Sequence, residues 1–155
     1  MSEQPDIINT DIISETTNKF WEDISLLVNE LTPKDTLVLT TPYDPGSPTE
    51  SQLLKIMQAC QLQPDQFNIL SLTEDQLVAW HRLRDRLQPK KVILLGITAE
   101  QLGISIHFMP HQVNRFNDCS WIPTVTIAQL ELYSDIKKHF WNYGLKPVFI
   151  DKIYG

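Results

Sequence analysis

"KKVILLGITAEQLGI", residues Lys90–Ile104, carries two structural signals in direct succession. Val92–Ile97 is a short, almost continuous apolar run, the pattern of a strand covered on both faces of a parallel sheet. Thr98 follows at once, with Gln101 three residues on. That is capping-box spacing: the Thr side chain satisfies a free backbone N–H at a helix start, and the Gln side chain reaches back to the cap. A strand passing straight into a helix is the first half of a βαβ unit.

The same pairing recurs along the chain. Apolar runs at Thr36–Leu39, Phe67–Leu72 and Trp121–Val125 precede Thr49 with Gln52, Thr73 with Gln76, and Thr126 with Gln129. One Thr-x-x-Gln is weak evidence; four, each behind a strand candidate, are much stronger. Helical stripes follow, at Leu53, Ile56, Met57 and Cys60, at Leu77, Trp80, Leu83 and Leu87, and at Leu130, Tyr133, Ile136 and Phe140. An earlier face, Phe20, Ile24, Leu27, Val28 and Leu31, is closed by Pro33. The alternation predicts a three-layer α/β/α domain over residues 17–155, built on a mainly parallel four-stranded sheet. Gly103–Asn117 fits neither period. Its Ile104, Ile106 and Phe108 suggest a short extra strand before a polar loop.

Residues 1–16 read as a flexible N-terminal tail. This tail is acidic and polar, yet it carries Ile7, Ile8, Ile12 and Ile13. Paired isoleucines in such a setting are the pattern of a short segment that orders on a partner.

Composition narrows the function classes. The chain has 155 residues, a formal net charge of −6 and two cysteines. The negative balance opposes tight binding to a phosphate backbone, so direct DNA binding is expected to be weak or absent. Arg82, Arg84, Arg86, Lys90 and Lys91 cluster, which reads first as a solvated helix end. Cys60 and Cys119 lie far apart, without the spacing of a zinc or iron–sulfur site, and point to a reducing, cytoplasmic setting. No apolar run approaches the length of a membrane span. His107 and His111 have i, i+4 spacing, but Pro110 lies between them and no acidic third ligand is near, so loop packing is the reading and no metal is expected. Ser71, Ser105 and Ser120 lack a Gly-x-Ser-x-Gly elbow. Gly96 and Gly103 do not form a dinucleotide fingerprint, and no cofactor is expected. Trp80, Trp121 and Trp141 read as core aromatics, with Trp21 at the rim of the first helix.

The order of elements resembles the uracil-DNA glycosylase fold. "KKVILLGITAEQLGI" is similar to that family's strand-Gly-x-x-Ala-helix segment. "PTVTIAQLELYSDIKKHFW" is similar to the segment following its His-Pro-Ser, and "LVLTTPYDPG" (Leu37–Gly46) to its first strand and Pro/Gly-rich loop. The resemblance implies a site for hydrolysing the glycosidic bond of a flipped base, with three stations. The water-activating acid would fall near Thr41, the base-reading Asn at Ser71, and the His-Pro-Ser at Thr126-Ile127-Ala128. None of these residues supplies the required group. Asp44 is the nearest carboxylate, in a Tyr-Asp-Pro-Gly stretch that reads as a turn.

A noncatalytic branch of this fold fits better. "LLKIMQACQLQPDQFNILSLTEDQL" and "KKHFWNYG" resemble the psi subunits of bacterial DNA polymerase III. That resemblance implies an accessory subunit in DNA replication whose extended N-terminal peptide docks on the clamp loader, the position the isoleucine-bearing tail holds here. The partners implied are clamp-loader subunits, with no membrane. Two alternatives stay open: a divergent glycosylase or nucleobase-binding protein using Asp44, and an interaction domain unrelated to replication.

Overall fold

β1 (Thr36–Thr40), β2 (Phe67–Ser71), β3 (Lys91–Leu95) and β5 (Cys119–Thr124) run parallel in the order β2-β1-β3-β5. They belong to a computed structural model that describes Val28 and residues 31–153. The tail isoleucines, Phe20, Trp21, Ile24 and Leu27 lie outside these residues. A fifth strand, β4 (Asn114–Phe116), pairs antiparallel with β5 and completes the sheet.

Period-2 alternation sends successive side chains of each strand to opposite faces. Leu37, Leu39, Val92, Leu94 and Trp121 join one core. Val38, Ile93, Leu95 and Ile122, taken from the same strands, join the other. The first core is covered by α2 (Trp80–Leu87) through Trp80, Leu83 and Leu87, together with Val28. The second is covered by α1 (Pro48–Ala59) through Leu53 and Met57, α3 (Ile127–Leu132) through Ile127 and Leu130, and α4 (Ser134–Phe140) through Phe140. A π-helical segment, Trp141–Ile150, adds Leu145 and Val148. The domain is therefore α/β, with a mostly parallel sheet between two apolar cores. Among the described residues no helix is long and apolar enough to cross a membrane.

Among the described residues the sheet has five strands rather than the expected four, and the extra one is not at Ile104–Phe108. That segment makes no strand; Ile104 is buried, and Phe108 stacks on Trp121 at 5.1 Å between ring centroids. The strand forms at Asn114–Phe116 because Asn117 and Asp118 both take positive φ (55° and 60°) and turn the chain back into β5. Two consecutive left-handed residues are what a tight type I′ hairpin requires. Trp121 Nε1 then donates to the Phe116 carbonyl at 3.0 Å and fastens the hairpin.

The four Thr-x-x-Gln motifs have four different outcomes. Thr126 and Gln129 form a full capping box at the head of α3. Thr98 and Gln101 form the same reciprocal pair, but it opens only a 3-10 turn, Glu100–Leu102. Thr73 N–H donates to Gln76 Oε1 at 2.9 Å to close a turn, and the helix starts later, at Trp80. Thr49 lies inside α1. Its cap is Ser47, whose Oγ accepts from Glu50 N–H at 3.3 Å, while Glu50 Oε1 accepts from Gly46 N–H at 2.9 Å. Ser47 wins because Pro48, with its fixed φ and missing N–H, suits the first helical position. The last helix also differs from expectation: Tyr133 (φ −118°, ψ 87°) breaks it into α3 and α4 and leaves the Tyr133 ring exposed rather than in the stripe.

The cap assignment gives a direct test. Ser47→Ala should cost about 1 kcal/mol in urea denaturation, whereas Thr49→Ala should cost no more than a few tenths. The reverse order would return the cap to Thr49.

Candidate functional site

From β1 the chain crosses to β2 on one side and then to β3 on the other. The carboxyl ends of β1 and β3 therefore form a topological switch point, the place where open α/β sheets put ligand crevices. Thr41 leaves β1 there, Gly96 leaves β3, and Thr126 follows β5. The loops stay paired beyond the strands: Thr41 N–H donates to the Leu95 carbonyl at 3.3 Å and Gly96 N–H to the Thr124 carbonyl at 3.0 Å.

Gly96 has φ +78°, and a Cβ placed on it would lie 2.6 Å from Thr126 Cγ2 and 3.1 Å from Thr41 Cγ2. Two threonine methyls thus close over the glycine. Two of the three expected stations meet, and they meet as apolar groups. The Thr126 hydroxyl is occupied locally: Oγ1 accepts from Gln129 N–H and donates to Gln129 Oε1, each at 3.2 Å. Ser71 ends β2 opposite Thr40, half-buried. Asp44 is exposed, and its carbonyl accepts from Ser47 N–H at 3.1 Å as part of the turn before α1. Beside it, burial and the Glu50 carboxylate hold the Tyr43 hydroxyl above its ordinary pKa.

A second group of polar side chains lies at the end of β5. His111 Nδ1 is 2.8 Å from Thr124 Oγ1, and the His111 backbone N–H donates to the Pro123 carbonyl at 2.7 Å. Its ring meets His139 of α4 at 6.1 Å, and His139 meets Tyr143 at 4.5 Å. Desolvation first, and the neighbouring His139 second, lower the His111 pKa. His107, its expected i, i+4 partner, is exposed and lines a cavity beside Ile104, Ile106 and Phe108. Among the described residues no group of three or more His, Cys, Asp or Glu is arranged to hold a metal ion. Both cysteines are buried: desolvation raises Cys60 to about 12, and burial is the main cause of a raised Cys119, whose Sγ donates to the Pro89 carbonyl at 3.2 Å. At neutral pH both stay thiols and poor nucleophiles.

The isoleucines Ile7, Ile8, Ile12 and Ile13 lie outside the described residues. Two features carry no clear local signal in the sequence: Gly96 as the floor beneath Thr41 and Thr126, and His139 as the neighbour of His111. A glycine just after a strand signals close backbone approach in general terms. Nothing local relates His139 to a residue 28 positions earlier. No protein-family model matches the chain, and no curated protein matches it.

Gly96→Ala combines a left-handed φ with a direct clash, and should destabilise the domain by about 1–3 kcal/mol in urea denaturation. Adding Thr126→Ser removes the nearer methyl while keeping the cap, so it should recover part of the loss. No recovery would place the whole cost in the backbone.

The His111 shift sets a second expectation. A folded-state pKa below the ordinary 6.5 means the native state favours the neutral ring. Its contribution to stability is full above about pH 6.5 and is lost as pH falls through that value, because the unfolded chain takes up the proton first. The urea midpoint should therefore drop between pH 7.5 and 5.5, and drop less in His111→Gln. Equal drops would assign the effect to other groups.

Proposed function

We propose that this chain is a noncatalytic protein-interaction subunit with a glycosylase-like α/β fold, acting in the cytoplasm as a psi-like accessory protein of a replicative clamp loader. One observation carries the noncatalytic part: the methyls of Thr41 and Thr126 close over Gly96 at the switch point. Glycosidic hydrolysis needs an acid or base at the water and a donor at the departing anion. A neutral threonine whose hydroxyl caps a helix supplies neither. The parallel order β2-β1-β3-β5, with helices against both faces, supports the fold likeness. The partner-binding part rests on the sequence: four isoleucines, Ile7, Ile8, Ile12 and Ile13, in an acidic segment. Each would contribute roughly 1.5–3 kcal/mol on burial in a partner, before ordering costs.

Two measurements test the proposal. Purified protein should release no uracil from single- or double-stranded DNA; release that disappears in Asp44→Ala would establish the divergent-glycosylase alternative. Tagged full-length protein should recover clamp-loader subunits from its native host. Replacing the four isoleucines by Ser should abolish that recovery and leave the melting temperature within a few degrees. Capture of an unrelated set of proteins would support an interaction domain without a replication role.

A further inference from the structure

Among the described residues the sheet ends on two very different strands. β4 has only three residues, with exposed Arg115 at its centre. A short strand with a central charge is a common way to blunt a sheet edge against further pairing. β2, the other outer strand, has neither device. Its five residues, Phe67–Ser71, include no charge and no proline.

One bond fixes which way its main chain faces. Leu72 N–H donates to the Thr40 carbonyl at 2.9 Å, and Thr40 is the register partner of Ser71. In a parallel ladder this turns Leu70 and Leu72 toward β1. The N–H and C=O groups of Ile69 and Ser71, and the carbonyl of Phe67, therefore point outward. Among the described residues nothing bonds to these outward groups. Phe67 and Ile69 are half-buried against the second core. On that face a groove of about 380 Å³ lies between α1 and the edge, lined by Leu54, Met57, Gln58, Leu62 and Phe67 among others. None of its lining residues is charged, and Leu54 is 44% exposed.

Register selects the occupant. With Ile69 opposite Ile69 of a second, antiparallel copy, Phe67 stands opposite Ser71. Outward residues then meet only outward residues. Ile69 exchanges both main-chain bonds with its counterpart, and Ser71 N–H donates to the other copy's Phe67 carbonyl. The two Ile69 side chains become neighbours on one face. A two-fold axis normal to the sheet keeps α1 of both copies on that face, with each groove turned toward the other. Neutral strands and neutral grooves bring no like charges into this ladder, and they offer a charged segment nothing to pair with. The charges sit beyond the strand ends. Asp65 and Lys34, whose Nζ donates to the Pro64 carbonyl at 3.4 Å, lie at one end; Glu74 and Asp75 lie at the other. The antiparallel arrangement keeps the two Glu74-Asp75 pairs apart and sets each toward the end that holds Lys34. We infer that β2 pairs antiparallel with β2 of a second copy of this chain, centred on Ile69, and joins two sheets into one. This pairing is independent of the replication reading.

The test follows full-length protein by sedimentation velocity over a concentration series. Wild type should pass from one chain to two and grow no further, because a two-fold interface closes on itself. Each copy carries a net charge of −6, so added salt should tighten the dimer by screening that repulsion. Ser71→Pro removes an outward N–H and no bond to β1. Leu54→Glu puts a charge beside the groove from an exposed helix position. Each should raise the dimer dissociation constant about tenfold or more. Met109→Glu changes a residue that is 61% exposed beside the opposite edge, where its N–H donates to Asn114, and should dimerise like wild type. In amide hydrogen exchange Ile69 and Ser71 should slow as concentration rises, while Leu70, facing β1, should not. Single chains at every concentration, growth beyond two, or indifference to Leu54→Glu or Ser71→Pro would overturn the proposal. So would equal weakening by Met109→Glu, or no added protection at Ile69 and Ser71. If wild type stays single but dimerises once Ile7, Ile8, Ile12 and Ile13 are Ser, the edge belongs to the chain's own N-terminal segment, and the proposal fails.

Discussion

β1 buries all five of its side chains, and β3 buries four of five. Strands covered on both faces favour apolar residues in succession, here Leu37–Leu39 and Val92–Leu95 between flanking Thr36, Thr40 and Lys91, and a helical layer on each side. Most of the architecture stems from that pattern. Leu37 and Leu39 need α2 above them; Val38 needs α1 and α3 below. The connections must therefore carry helices to both faces, and the crossing from one side of β1 to the other creates the switch point where Thr41 and Gly96 meet.

How much of this is legible in the sequence depends on the range of the interaction involved. The parallel strands can be read because double-sided burial writes itself into consecutive residues such as Val92–Leu95. The stripes of α1 and α2 can be read for the same reason. Thr-x-x-Gln is informative about local hydrogen bonding and less so about the length or type of the next element. Gln101 shows why: it satisfies Thr98 through Oε1, while its Nε2 donates to the carbonyls of Thr73 (2.9 Å) and Gln76 (3.3 Å). The residue that resembles part of a helix start is a bridge between two loops, and its partners lie 25 and 28 positions away. β4 is hidden because Asn117-Asp118 is a weaker hairpin signal than Asn-Gly, and because Ile104, Ile106 and Phe108 look more strand-like than Asn114–Phe116.

The candidate site divides in the same way. That Thr126 caps a helix is readable from three residues of spacing. That its methyl lies against Gly96 alongside the methyl of Thr41 is not, because three strands from different parts of the chain bring them together. Spacing pairs His111 with His107; the chain turns at His111 with φ +62° and carries the ring to Thr124 and His139 instead. Sequence spacing names the residues able to meet on one element, and tertiary packing decides which of them do.

The glycine at the switch point also constrains the order in which this sequence can change. With the Thr126 methyl 2.6 Å from where a side chain would begin, any residue with a Cβ at position 96 forces its surroundings to shift while position 126 stays Thr. Serine at 126 keeps the cap and opens that space, so it is the permissive first step; alanine at 96 before it meets both methyls. The left-handed backbone still disfavours the second step by itself. The two positions are therefore coupled, and their changes are not additive. Changing the cap residue first is therefore the less costly order in which a side chain could be added at the floor of this crevice.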